Sequence, residues 1–119
     1  MGLFEGCTPG FWRQPQHLDS WIPTGFEPLD DFDATFNVNF FDPNITLLQA
    51  VNLGGGGIEA LARHAVAALL NSAHPDVDYP LSTTDVINLV QGIDPTNAQE
   101  VEDLKDLFEG FNELGCPLD

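Results

Sequence analysis

The fold is decided by residues 58–73, which read IEALARHAVAALLNSA. Apolar residues recur there three and four positions apart, the spacing of one face of a helix. They are Ile58, Leu61, Ala62, Ala65, Val66, Leu69, Leu70 and Ala73. The opposite side carries the small residues Ala60, Ala67 and Ala68, so a second element can approach closely there. We therefore predict a central helix packed on more than one face, with Glu59 and Arg63 forming an ion pair across one turn.

Two further helices are predicted after the central one. His74 precedes a proline and ends the central helix, because the residue before proline disfavours helical backbone. Ser82 and Asp85 form a capping-box pattern that opens a helix reaching about Gly92. Residues 94–95, Asp-Pro, open the last helix. Its predicted buried stripe is Val101, Leu104, Leu107, Phe108, Phe111 and Leu114.

Shorter helices are predicted before the central one. Four consecutive glycines, residues 54–57, are interpreted as a helix end and tight turn, because no Lys-Ser/Thr follows them as in a phosphate-binding loop. Residues 42–43, Asp-Pro, predict an N-cap and a first helical residue for a helix over about 43–53. A short helix over about 29–37 fits the spacing of its aromatic residues.

The first forty residues combine large aromatic side chains with proline and glycine. Residues 8–10, Thr-Pro-Gly, match a type II turn. Trp12 and Trp21 are interpreted as core anchors, since an indole buries a large apolar area. Residues 1–119 are therefore predicted to form a single all-α domain, a compact bundle of four to five helices with an irregular aromatic-rich N-terminal segment.

The two cysteines, Cys7 and Cys116, lie near the two ends of the chain. Because the ends of a domain are often close together, we predict a disulfide that joins them. Closing a loop of roughly 100 residues stabilises a fold by about 4 to 5 kcal/mol on the chain-entropy model. The alternative is two separate buried thiols, as expected in a cytosolic protein.

Charge is the strongest global feature of the sequence. Nineteen acidic residues stand against three basic ones, which gives a formal charge of −16. Such a chain repels nucleic acid and anionic membranes, whose binding depends on lysine and arginine, and it attracts cations. No apolar run is long enough to span a bilayer. The acidic surface is also consistent with adaptation to high salt.

Three stretches resemble modules found in secreted or cell-surface proteins of bacteria and archaea. They are CTPGFWR at residues 7–13, RHAVAALLN at 63–71 and NELGCP at 112–117. The resemblance implies an extracellular module with paired terminal cysteines. It brings no established activity and no catalytic residues.

Two acidic clusters are candidate calcium ligands, because carboxylates that alternate along a loop can converge on one hard cation. Asp76 and Asp78 lie in the loop after the central helix, and Asp30, Asp31 and Asp33 precede the aromatic segment. Neither cluster has the twelve-residue pattern of an EF-hand. Calcium is therefore the metal that the sequence favours, and the alternative is that the carboxylates are solvated by diffuse counterions without a dedicated site.

The three histidines, His17, His64 and His74, are alternative ligands for zinc or copper, together with a carboxylate such as Asp19 or Asp76. His64 and His74 are about 15 Å apart along one helix at 1.5 Å per residue, so the two cannot hold one ion. For His64 the sequence favours a buried imidazole hydrogen-bonded to a backbone carbonyl over a metal ligand.

Two functional hypotheses follow. The first is a non-enzymatic secreted or cell-surface structural or binding module, whose acidic surface keeps it soluble or binds calcium, and which contacts a protein partner or a second copy through a helix face or the aromatic segment. The second is a small zinc or copper enzyme, a hydrolase. A transition-metal site with an open position would favour the enzyme, and three separately hydrogen-bonded histidines would favour the module.

Overall fold

Six α-helices and one 3₁₀ helix build the part of the chain, residues 3–118, that the computed structural model describes. The helices are α1 Pro9–Trp12, the 3₁₀ helix Pro15–Thr24, α2 Phe32–Phe36, α3 Leu47–Val51, α4 Gly57–Ala73, α5 Thr83–Gly92 and α6 Ala98–Asn112. Within residues 3–118, backbone pairing of the β type is limited to two isolated bridges, Gly6 with Gly115 and Asp31 with Thr46. The all-α prediction is confirmed, and the two additional helices lie in the segment predicted to be irregular.

Helix α4 is the centre of the fold. It packs against α6 most extensively, and also against α3, α5, α1 and the 3₁₀ helix. Every residue from 60 to 71 is buried except Arg63, which is half-buried. The small side chains predicted to admit a second partner, Ala60, Ala67 and Ala68, are all buried. The prediction of a central helix packed on more than one face is therefore confirmed.

Arg63 does not pair with Glu59 as predicted. Its guanidinium donates to the carbonyl oxygens of Leu53 at 2.7 Å and Gly55 at 3.4 Å. These carbonyls belong to the glycine-rich turn before α4, where Gly55 has a φ of +88°, a conformation that favours glycine. Arginine therefore ties the turn to α4, because two fixed carbonyls offer it better-ordered acceptors than an exposed carboxylate does.

The start of the chain differs from the prediction. Thr8, Pro9 and Gly10 do not form a type II turn; they open α1, with the Thr8 hydroxyl accepting from the Phe11 amide at 3.3 Å. Pro9 is the first helical residue, where its missing N–H removes no helical hydrogen bond. A Thr-Pro pair fits both a turn and a helix start, and here the N-cap geometry prevails.

Three predicted helix starts are displaced, and one is confirmed. Helix α2 begins at Phe32, after an Asp31 cap, and not at about residue 29. Helix α3 begins at Leu47, not at residue 43, because Thr46 and Gln49 form a reciprocal capping box. Helix α6 begins at Ala98, after an Asn97 cap that accepts two amide protons, and not at residues 94–95. The predicted buried stripe of α6 is wrong at Leu107 and Leu114, which are 40% and 47% exposed. The capping box of residues 82–85 opens α5 as predicted.

Both tryptophans are core residues, as predicted. Trp12 is fully buried and Trp21 is 1% exposed. The Trp21 indole N–H donates to the Trp12 carbonyl at 3.0 Å, which joins the 3₁₀ helix to α1. Gly25, with a φ of +82°, ends the 3₁₀ helix. The part of the aromatic segment from Pro9 to Thr24 is therefore mostly helical and fixed to the core.

A disulfide joins Cys7 and Cys116, as predicted, with 4.4 Å between their Cα atoms. Beside it, the Gly6 amide donates to the Gly115 carbonyl at 3.0 Å. A side chain at Gly6 would collide with the Phe111 carbonyl, so only glycine fits there. No helix within residues 3–118 is long and apolar enough to cross a membrane.

Candidate functional site

A buried polar cluster lies next to the disulfide and is centred on Asn71 of α4. Its side-chain oxygen accepts from the Cys7 amide at 2.9 Å and from the Trp12 indole at 3.2 Å. Its side-chain nitrogen donates to the Cys7 carbonyl at 2.8 Å and to Asn112 Oδ1 at 3.1 Å. Asn71 thus uses both donors and both acceptor positions without water. We call Trp12, His64, Asn71, Tyr79 and Asn112 the asparagine cluster.

Asn112 of α6 extends this network. Its oxygen also accepts from the Tyr79 hydroxyl at 2.7 Å, and its nitrogen donates to the His64 carbonyl at 3.1 Å and approaches His64 Nδ1 at 3.3 Å. Burial raises the pKa of Tyr79 far above its ordinary value of 10.0, so the hydroxyl stays protonated and donates. No buried side-chain nitrogen or oxygen in the described residues lacks a partner. The cluster is fully satisfied by the protein itself.

His64 is a neutral member of this cluster. Because Asn112 Nδ2 can only donate, Nδ1 of the facing His64 ring is assigned as the acceptor. Burial lowers the pKa of His64 below its ordinary value of 6.5; Glu109 opposes this shift, whereas Arg63 and Lys105 add to it. The predicted backbone-carbonyl partner is wrong: the ring meets a side-chain amide.

We expect the stability of the protein to fall as the pH drops below about 6.5. Below this pH, His64 binds a proton in the unfolded chain but stays neutral in the folded chain. The contribution of His64 to stability is therefore complete above pH 6.5, and it is lost as the pH falls from 6.5 to the lowered pKa of the folded state. The slope is at most about 1.4 kcal/mol per pH unit. Urea unfolding between pH 7.5 and 5.5, in wild type and His64→Gln, measures it. Equal pH slopes in the two proteins would contradict the assignment.

The other two histidines have separate environments. His74 Nδ1 accepts from the Asp76 amide at 3.0 Å, and the His17 ring stacks on Phe11 with centroids 4.1 Å apart. In residues 3–118, no group of three or more His, Cys, Asp or Glu side chains is placed to hold a metal ion. The structure does not bring His17, His64 and His74 together as a zinc or copper site.

The aspartates of the first predicted calcium cluster hold local backbone. Asp30 accepts from the Glu27 amide at 2.9 Å, and Asp31 caps α2 by accepting from the Ala34 amide at 2.8 Å. Asp33 is buried, and its carboxylate accepts from the amides of residues 40 and 41 at 3.1 to 3.2 Å. Each carboxylate is thus directed to a different part of the chain.

The second predicted calcium cluster lies in the loop after α4. Asp76 and Asp78 are both exposed there. The Asp78 amide donates to the Glu5 carboxylate at 2.9 Å, and the Glu5 amide donates back to the Asp78 carbonyl at 2.8 Å. These bonds attach the N-terminal segment to the loop.

Calcium and magnesium are expected to raise the melting temperature equally at equal concentration. Both divalent ions screen a chain of charge −16, and the described carboxylates do not converge on one point. Thermal melts in the two chlorides test this. A larger rise in calcium, lost in the Asp76→Asn/Asp78→Asn variant or in Asp30→Asn, would instead support the calcium site predicted from the sequence.

The surface carries an apolar groove of about 390 Å³ along the end of the 3₁₀ helix. Its lining residues are Leu18, Trp21, Ile22, Gly25, Phe26, Glu27 and Pro28. Ile22 is 78% exposed, and Leu29, next in sequence after the lining segment, is 80% exposed. We call this surface the Ile22 groove. The groove lies within the aromatic-rich N-terminal segment, which is one of the two surfaces predicted to contact a partner.

Sequence reasoning missed the asparagine cluster and the groove. One signal was present: Asn71 lies among small and aliphatic residues on a helix predicted to be packed all round, and a buried amide needs several partners. Asn112 and Tyr79 carried no such signal.

Comparison with protein-family models, curated proteins and solved structures finds no match to this chain, so the resemblance to secreted modules stays a prediction.

Proposed function

We propose that this chain is a non-enzymatic binding module of secreted or cell-surface proteins, and that the Ile22 groove is its contact surface for a protein partner. The observation that carries this proposal is Ile22, a large aliphatic side chain that is 78% exposed and lines a concave, mainly apolar surface. Leu29, which follows the lining residue Pro28 in sequence, is 80% exposed. Large apolar side chains grouped at a surface mark interaction sites. The disulfide supports an oxidising, extracellular setting.

The groove is built on rigid backbone. Trp21 lines it from the core and is held by its bond to the Trp12 carbonyl. The Thr24 hydroxyl donates to the Trp21 carbonyl and accepts from the Phe26 amide at 3.0 Å, which fixes the turn through Gly25. A preorganised surface loses little conformational entropy when it binds, so the same contacts give a higher affinity.

The charge around the groove favours a basic partner. No lysine or arginine occurs between Arg13 and Arg63, and Glu27 lines the groove itself. The whole chain carries a formal charge of −16. A partner segment that combines apolar side chains with lysine or arginine would fill the groove and be attracted by this field. We therefore commit to a basic, apolar peptide segment as the occupant.

The asparagine cluster supports a structural role for the interior polar groups. Asn71, Asn112 and His64 hydrogen-bond to one another or to backbone, and the cluster holds the disulfide-linked segment to α4 and α6. The polar side chains best placed for chemistry are thus engaged in holding the fold. This supports the binding-module hypothesis over the alternative of a zinc or copper hydrolase.

The test is an NMR titration with two short synthetic peptides of the same length, one of leucine and lysine, the other of leucine and glutamate. We expect the lysine peptide alone to shift the resonances of Ile22, Phe26 and Leu29. Ile22→Ser should weaken binding roughly tenfold, because it removes about 1.4 kcal/mol or more of apolar contact. Leu107→Ser, at an exposed leucine on acidic α6, is the matched control and should change nothing.

Three results would overturn the proposal. Lysine-peptide shifts that spread over all acidic faces and survive Ile22→Ser would show attraction by charge alone. Absence of binding by the lysine peptide would exclude a basic segment as the occupant. Concentration-dependent dimerisation that Ile22→Ser abolishes would assign the groove to a second copy of this chain.

A further inference from the structure

The loop before α3 contains the tripeptide Asn44-Ile45-Thr46. It is the single Asn-X-Ser/Thr sequence in the chain, and X is not proline. This sequence is the acceptor for N-glycosylation in exported proteins. We propose that Asn44 is a glycan attachment site. The inference rests on the exported setting of the proposed function and is independent of the Ile22 groove.

The surroundings of Asn44 suit a bulky modification. Asn44 and the two residues before it are exposed, and the residue lies outside any helix. Its side-chain amide makes no hydrogen bond to the rest of residues 3–118, so a sugar on it would replace no internal contact. Asn71 and Asn112, by contrast, are fully buried and use both amide protons. Asn44 is thus the asparagine with the acceptor sequence, and it is exposed.

The structure also indicates when the sugar is added. In the folded chain the Ile45 carbonyl accepts from the Phe32 amide at 2.8 Å, and the Leu47 amide donates to the Asp30 carbonyl at 2.8 Å. The Thr46 hydroxyl, which completes the acceptor sequence, caps α3 at 3.0 Å from the Gln49 amide. An enzyme that reads Thr46 competes with this pairing. Transfer therefore precedes the docking of residues 45–47, while Asn44 stays accessible afterwards.

The chemistry is a group transfer without redox change. The Asn44 side-chain nitrogen forms a bond to the anomeric carbon of a polyprenyl-phosphate- or polyprenyl-diphosphate-linked glycan. The bond between that carbon and the phosphate oxygen breaks, the lipid phosphate leaves with the electron pair, and one amide proton passes to a base. Such a lipid donor is used on the exported side of a membrane, where the disulfide can also form.

The experiment is peptide mapping by mass spectrometry of the chain purified from its own cells, with the disulfide state read from the same digest. We expect the peptide with Asn44 to carry a hexose-containing mass increment. Asn44→Gln and Thr46→Ala should abolish the increment, and Thr46→Ser should retain it together with the helix cap. Asn88→Gln, at an exposed asparagine outside any such tripeptide, is the control and should retain it.

Two results would overturn the proposal, and the first is a chain with a formed Cys7–Cys116 disulfide and an unmodified Asn44. The disulfide in that sample would show that the chain had reached the oxidising compartment, so lack of export would not explain the missing sugar. Retention of the increment in Asn44→Gln would equally overturn it, because the sugar would then lie elsewhere. Asn44→Gln leaves the Thr46 cap intact and should keep the wild-type melting temperature, so misfolding cannot account for its loss of sugar.

Discussion

Asn71→Ala is expected to lower the free energy of unfolding by about 3 to 5 kcal/mol, a large part of the stability of a domain this size. The substitution leaves four buried groups without their partner: the Cys7 amide and carbonyl, the Trp12 indole and Asn112 Oδ1. Asn112 Oδ1 keeps its bond to Tyr79, but the other three are orphaned. An orphaned buried polar group costs about 1 to 3 kcal/mol.

Urea unfolding gives the measurement for Asn71→Ala. The midpoint should fall with an unchanged m-value, since the substitution alters the native contacts and not the surface exposed on unfolding. Asn88→Ala, on exposed α5 surface, is the matched control and should cost nothing, because alanine is the better helix former. A loss below about 1 kcal/mol for Asn71→Ala would mean that water replaces the amide, contrary to a sealed cluster.

Removal of the disulfide, by reduction or by the Cys7→Ala/Cys116→Ala pair, is expected to cost about 5 kcal/mol. The two cysteines are 109 residues apart, so the disulfide closes a loop that includes nearly the whole chain. On the chain-entropy model, releasing a longer loop increases the entropy of the unfolded chain by more, and the loss of stability is correspondingly large. The m-value should rise, because the unfolded chain expands when its ends separate.

Thermal and urea melts with and without reductant test this prediction. Reductant should destabilise the wild type and leave the Cys7→Ala/Cys116→Ala variant unchanged. A wild type insensitive to reductant, with thiols shown to be free, would contradict it. The native segment around Cys7 should remain docked after reduction, because Asn71 holds both its amide and its carbonyl.

A series of hydrogen bonds connects the disulfide-linked chain ends to the proposed binding surface, and both predictions concern residues in or next to this series. Asn71 holds the backbone of Cys7 and the indole of Trp12, and the Trp12 carbonyl in turn holds the indole of Trp21. Trp21 lines the Ile22 groove. Loss of Asn71 should therefore weaken peptide binding as well as stability, although Asn71 touches no part of the groove.

Helix existence was predictable from sequence, but several helix starts were not. Residues 42–43 and Thr46 are competing start signals for α3, and residues 94–95 and Asn97 compete for α6. Pairing of residue 45 with Phe32 keeps the backbone extended up to Thr46, so α3 starts later. The Asp94 carboxylate instead accepts from the amide and hydroxyl of Thr96, which leaves Asn97 to cap α6.

The sequence by itself determined that the chain is all-α and that residues 58–73 are its centre. It also predicted the Cys7–Cys116 disulfide, with two separate thiols as the alternative that the structure excludes. Apolar periodicity is a local property, and it states which face of each helix is buried. The hydrogen-bond partners of Asn71 lie 41 to 64 residues away in the sequence. Arg63 donates to backbone carbonyls and not to the carboxylate of Glu59. These hydrogen-bond partners and the Ile22 groove were decided by the tertiary structure. The reason is that a hydrogen bond requires donor and acceptor to lie within about 3 Å, and only the packing of whole helices brings distant residues that close.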